Sequence, residues 1–280
     1  MNVTLPDNKI DRKAIVVYSL IITVCIISII LVVWLQFFEG RTVETVGTLK
    51  GKSDNDYDVL KAEFDTLLVD KIENEDVKYK NKKENRSKDI VYTQYEKSEN
   101  LDGSYDVNVK IPYININNSI IKKYNEEIQS TFVEKTESIL KTNNKNSIYT
   151  VQYGGYMQDG ILSVVIKATL QEGSSAQRTI IKTYNFNLED NKEISLAELL
   201  KMKSVEISYA QNKIDKEIQN GHKKAADLKA LGYPIFERNL NDKMYQVENV
   251  SEFYYHDGSI YVIFAYGNDK FTNEVDIAVI

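Results

Sequence analysis

Few residues in this chain could start catalytic chemistry. It carries two histidines, His222 and His256, and one cysteine, Cys25. A zinc centre takes three or four ligands, commonly at short local spacing, and neither histidine has a second histidine or a cysteine beside it. Both lie next to Lys or Asp in turn-like stretches and are expected at the surface. No G-x-S-x-G elbow occurs, and no glycine-rich phosphate loop joins a strand to a helix. A glycosidase needs only two carboxylates across a cleft. The carboxylates here are numerous, but no spacing marks a pair, and Asp106, Glu274 and Asp276 read as solvent-face or turn residues of strands. The expectation is no cofactor, no metal and no catalytic residue.

Tyrosine points to binding instead. Nineteen are present, with groups at Tyr149, Tyr153 and Tyr156, at Tyr254 and Tyr255, and at Tyr261 and Tyr266. An exposed phenol stacks on a sugar ring or anchors a protein interface, although a half-buried strand favours the same residue. Together with the turn Tyr266-Gly267-Asn268-Asp269, the candidate ligand surface comprises Arg178, Tyr184, Tyr254, Tyr255, Tyr266 and Asn268.

Positioning these residues falls to an α+β pattern. Ile90–Lys97 and Tyr105–Ile114 are β-rich and flank Leu101-Asp102-Gly103-Ser104, a hairpin. Asn118 or Ser119 caps a helix to about Thr142, with Ile121, Tyr124, Ile128, Phe132 and Ile139 on one stripe. Three strands follow, Ser147–Met157, Ile161–Leu170 and Gln177–Leu188, read as an antiparallel meander. Gly154-Gly155 inside the first of them signals a bulge or a close backbone approach. This ββαβββ unit, residues 89–192, is followed by a second α+β unit, residues 193–280. Ser195 and Glu198 there stand in capping-box relation. A helix over Ser204–Gln219 is expected to end at Gly221, and antiparallel strands around His256-Asp257-Gly258 close the chain, tying Ile280 into a sheet.

Upstream, Ala14–Phe38 is free of formal charge. As a helix it extends roughly 37 Å, enough to cross a hydrocarbon core of about 30 Å. Lys9, Arg12 and Lys13 precede it, which orients residues 1–13 to the cytoplasm and the remainder outward. The run is too long for a signal peptide's apolar region and lacks a small-residue cleavage site. Residues 39–88 are expected to be a juxtamembrane linker with one short helix, Tyr57–Ile72, whose apolar face of Leu60, Phe64, Leu67, Leu68 and Ile72 offers a docking surface to the main domain, and a solvated charged tract, Asp76–Lys88. A formal net charge of -6 with dispersed basic residues argues against nucleic acid. The absence of cysteine outside the apolar run and the abundance of Lys, Asn, Ile and Tyr suit a low-GC Gram-positive envelope.

The order of IVYTQYEK, YDVNVKIPYINI with its helix, ILSVVIKATL, TYNFNLEDNKEISLAELL and FYYHDGSIYVIFAYGN resembles the extracytoplasmic module of RsiV-type membrane anti-sigma factors and PdaC-type peptidoglycan deacetylases of firmicutes. The likeness spans residues 89–280. It implies a receptor-like module, which in the anti-sigma branch meets lysozyme. Thirteen residues before the apolar run are too few for a sigma-binding domain, and Gln171–Gln177 departs from the aromatic, His-containing turn of related modules. The expectation is therefore a single-pass, non-catalytic module anchored in the lipid bilayer through residues 14–38, with a cell-wall polymer or an envelope protein such as lysozyme as its ligand. The alternatives are a wall hydrolase or deacetylase accessory with an unmarked carboxylate site, and an anti-sigma-like sensor without its own sigma-binding domain.

Overall fold

The computed structural model describes residues 54–142 and 146–280; the apolar run 14–38 lies outside them. Among the described residues, no helix is long and apolar enough to cross a membrane. From Asp54 on, the described residues pack as one unit of α+β architecture, built from a seven-stranded sheet, a three-stranded sheet and the helices that cover them.

The large sheet holds β1 (Ile72–Glu73), β2 (Val91–Leu101), β3 (Tyr105–Ile114), β4 (Ser147–Gln158), β5 (Ile161–Gln171), β6 (Arg178–Asn187) and β7 (Lys192–Glu193). They run in the order β2-β3-β4-β5-β6-β7, with β1 beside β4. The expected hairpin β2–β3 forms, and β4, β5 and β6 are antiparallel. The sheet is nonetheless mixed. β3 and β4 are parallel, Tyr105 opposite Ser147, because the chain leaves β3 through a helix and must return on the same heading.

That crossover is α2 (Ser119–Ile128), a π turn over Gln129–Val133 and α3 (Glu134–Thr142). Asn118 caps it by accepting a hydrogen bond from the amide of Ile120. The apolar stripe read from sequence is the buried one: Ile121, Ile128, Phe132 and Ile139 are at most 2% exposed and pack on Val107, Val109, Tyr149 and Val151.

The opposite face of the large sheet meets the small one, β8 (Phe253–His256), β9 (Ser259–Ala265) and β10 (Val275–Val279), ordered β10-β9-β8. Val165 and Ile181 of the large sheet pack on Tyr254, Tyr261 and Ile263 of the small one. The far side of the small sheet packs on α4 (Leu196–Met202) and α5 (Ile207–Ala230). Both faces of β9 are thus buried, which explains its unbroken apolar run. Ile280 exchanges two backbone hydrogen bonds of 2.9 Å with Ile260, and Ser195–Glu198 forms the expected capping box.

Four local expectations are corrected. Tyr57–Ile72 is not one helix: α1 (Asp54–Ala62) is followed by a 3-10 turn over Phe64–Leu67, and Asp70 at φ 56° turns the chain into β1. The tract read as a solvated linker is docked. A 3-10 helix over Val77–Lys82 buries Tyr79, whose hydroxyl donates to Glu189, and Lys83 is ion-paired with Glu75. Gly221 does not end a helix but lies within α5, where a Cβ would sit 2.9 Å from both carboxylate oxygens of Asp276. Asp276 itself is buried rather than solvent-facing. It accepts from Arg238 Nε at 3.0 Å and from the Tyr266 hydroxyl at 2.7 Å, and Glu274 pairs with the same arginine.

Candidate functional site

The small sheet packs mainly on β4, β5 and β6, and among the described residues the same face toward β2 and β3 carries exposed and half-buried side chains. Side chains alternate across a sheet, so directly opposed residues share a face. With Tyr149 and Val151 committed to the helix side, Ile148, Thr150 and Gln152 point the other way. Register carries this face across four strands. Asn100, Asp106, Ile148 and Gln171 form one row; Ser98, Asn108, Thr150 and Thr169 form the next. Beyond them Glu96 lies opposite Lys110, and Gln152 opposite Lys167. All are exposed or half-buried. Strand and row spacings make the platform roughly 14 Å on a side.

Its composition is amides and hydroxyls. It also carries four charges, Glu96, Asp106, Lys110 and Lys167, of which both lysines are paired with carboxylates of the border. Ile148, 41% exposed, is its apolar spot. One border is the segment after α1: Lys110 reaches Asp70 at 3.4 Å, Lys167 reaches Asp65 at 2.6 Å, and the Leu67 carbonyl lies where a Cβ on Gly154 would sit. Gly154 is therefore a close-approach glycine, one of the two readings of the Gly-Gly pair. The other border is β6, where Thr179 continues the second row beneath Asn273, to which its hydroxyl donates.

The structure does not bring the sequence-predicted tyrosines together on a surface. Tyr184, Tyr254, Tyr255 and Tyr266 are each at most 4% exposed. The correction has a simple cause: in a sheet stacked on both faces, alternate tyrosines have nowhere to point but into a core. Burial, first, raises all four phenol pKa values above the ordinary one; for Tyr255 the hydrogen bond with Lys203 works against that rise. Tyr184 faces the crossover helix, its ring centroid 4.9 Å from that of Tyr124, with its hydroxyl enclosed and unpartnered. Tyr254 lies between the sheets, while Tyr255, beside Lys203 and Asp159, and Tyr266 lie in the core on the helix side of the small sheet. Arg178 is on the helix side, stacked 5.1 Å from the exposed Phe271 ring. Asn268 clamps an edge, accepting from Ile181 N at 3.0 Å and donating to Ile181 O at 2.9 Å.

Of the histidines, His222 is exposed as expected, but His256 is half-buried beside Tyr156 (centroids 4.1 Å), with Glu73 at 3.3 Å. Among the described residues, no cluster of three or more His, Cys, Asp or Glu could hold a metal. Sequence reasoning passed over the platform because alternation alone shows that half of each strand is polar. Which polar halves stay uncovered depends on where a second sheet stops.

No protein-family model matches the chain, and no curated protein matches it. Among solved structures it is similar to a DUF3298 family protein from Pseudomonas aeruginosa, at 11% identity and a TM-score of 0.39, over 67% of this chain and 86% of that one. It is also similar to a DUF3298 family member from Bacteroides fragilis, at 10% identity and a TM-score of 0.33, over 62% and 82%.

Proposed function

We propose that this chain is a single-pass, membrane-anchored, extracytoplasmic module of the RsiV/PdaC-like kind, non-catalytic, which holds a cell-envelope glycan against the platform of its large sheet. The carrying observation is the platform itself: exposed and half-buried amide and hydroxyl groups held in register across four strands. A neutral polyhydroxylated chain presents matching donors and acceptors along an extended line, and sites on strands hold their geometry better than sites on loops. The apolar run 14–38, with Lys9, Arg12 and Lys13 before it, supports the anchor and its direction.

The test uses the full chain in detergent micelles, sedimented with purified peptidoglycan sacculi. The reading expects the protein in the pellet and its release by soluble glycan strands. A protein that stays in the supernatant, or that pellets only when lysozyme bridges it to the wall, overturns the reading.

A further inference from the structure

At the β6 border the platform runs into a cavity of about 280 Å³ between the segment after α1, the large sheet and β10. Its walls differ in character. Phe64, Val275 and Ile277 supply apolar surface, while Thr179 and Asn273 supply polar groups. Lys167, which belongs to the platform, lines it as well, so platform and cavity are continuous. The charged side chains around it are already paired, Lys167 with Asp65 and Lys61 with Glu217, which leaves the cavity suited to a neutral group.

Thr179 and Asn273 are hydrogen-bonded to each other in one sense only: the threonine hydroxyl donates to the asparagine carbonyl oxygen. Two complementary functions remain, the hydroxyl's lone pairs and the asparagine NH2, which makes no hydrogen bond among the described residues. A group that donates one N–H, accepts at one carbonyl and carries a small apolar end fits this set. We infer that the cavity is a subsite for the acetamido group of an N-acetylated hexosamine, its N–H directed to the Thr179 hydroxyl, its carbonyl to the Asn273 NH2 and its methyl to Phe64, Val275 and Ile277. The inference rests on the glycan reading of the platform and gives that glycan its chemical class. A site built around an amide also discriminates well, because a sugar lacking the amide leaves the polar partners of the cavity unsatisfied.

The experiment titrates the full chain in micelles with the hexamer of N-acetylglucosamine and with cellohexaose, which has the same neutral backbone without acetamido groups. The inference expects the acetylated hexamer to bind at least tenfold more tightly, and Asn273→Ala to remove that preference while the protein still unfolds in one cooperative transition. Thr179→Val serves as the second variant and is expected to act in the same direction. Equal binding of the two hexamers, or a preference that survives Asn273→Ala, overturns the subsite and leaves the platform reading standing. Binding of neither hexamer overturns both.

Discussion

At the scale of single residues, the buried charges set the sharpest expectations. Arg238 is 7% exposed and lies between Asp276 and Glu274, with its guanidinium 4.9 Å from the Tyr266 ring. Removing one member of such a group strands the other charge, so Asp276→Ala is expected to cost about 3–5 kcal/mol in urea unfolding. Gly221→Ala should improve helix propensity by about 1 kcal/mol yet lose stability by about 1–3 kcal/mol, because the new methyl meets the Asp276 carboxylate. A gain in melting temperature would contradict the close packing. Glu252 behaves differently. It is 6% exposed, accepts from the Thr183 amide at 2.7 Å and its hydroxyl at 3.1 Å, and lies 3.5 Å from Lys182, which also reaches Glu127. Burial outweighs these partners and raises its pKa. A raised carboxyl stabilises the fold fully below its unfolded value of about 4.3 and loses that contribution as pH climbs through the folded value. Glu252→Gln is therefore expected to match or exceed the natural chain at pH 7, with its relative advantage shrinking toward pH 4; urea melts across that range check the sign. None of these three roles was legible in the sequence. Gly221 reads as a helix stop and Asp276 as a surface residue until the partner element is in view, whereas Asn118 and the Ser195–Glu198 box signal locally and fold as they read.

Elements show the same division between local and distant causes. Strand β6 has β5 on one side and only the two residues of β7 on the other, so most of its outer edge would be open. The second half of the chain closes it. Thr179 N donates to Thr272 O at 3.1 Å, Asn268 takes both groups of Ile181, and Glu252 takes the Thr183 amide. Asn268→Ala is expected to cost about 1–3 kcal/mol and to speed hydrogen exchange at the Ile181 amide far more than at Ile180, whose alternate position turns its N–H toward β5. Equal exchange at the two sites would contradict the clamp. Asn268 was legible as a residue of interest, but its role is structural. The hairpins and the amphipathic crossover were readable because turn residues and periodicity lie within one stretch of chain. The parallel pairing of β3 with β4 was not, since the strand that the crossover returns beside is settled by packing between segments distant in sequence.

At the largest scale, the described residues form a stack of helix, sheet, sheet and helices, and the segment from Asp54 to Lys88 is part of that stack. Phe64, Leu68 and Tyr79 are each at most 6% exposed; the first two belong to the apolar face that the sequence offered for docking, whereas Tyr79 fell in the tract read as solvated. Burial of side chains of this size contributes about 1.5–3 kcal/mol each, against a typical total of about 5–15 kcal/mol. A chain beginning at Asp89 is accordingly expected to melt about 10 °C or more below one beginning at Asp54, or to fail to fold; equal melting temperatures would contradict the docked segment. High charge density hid the docking, because six basic residues between Lys78 and Lys88 mask one buried tyrosine. The same stack leaves the platform open, and the central claim is that this opening is where the glycan lies. The direct measurement compares affinity for soluble glycan strands in two triple-alanine variants of the full chain, one at Asn108, Thr150 and Gln152 on the platform, the other at Glu134, Glu137 and Ser138 on the exposed side of α3. A loss of tenfold or more confined to the first variant is expected. Unchanged binding in the first, or an equal loss in both, would contradict the account.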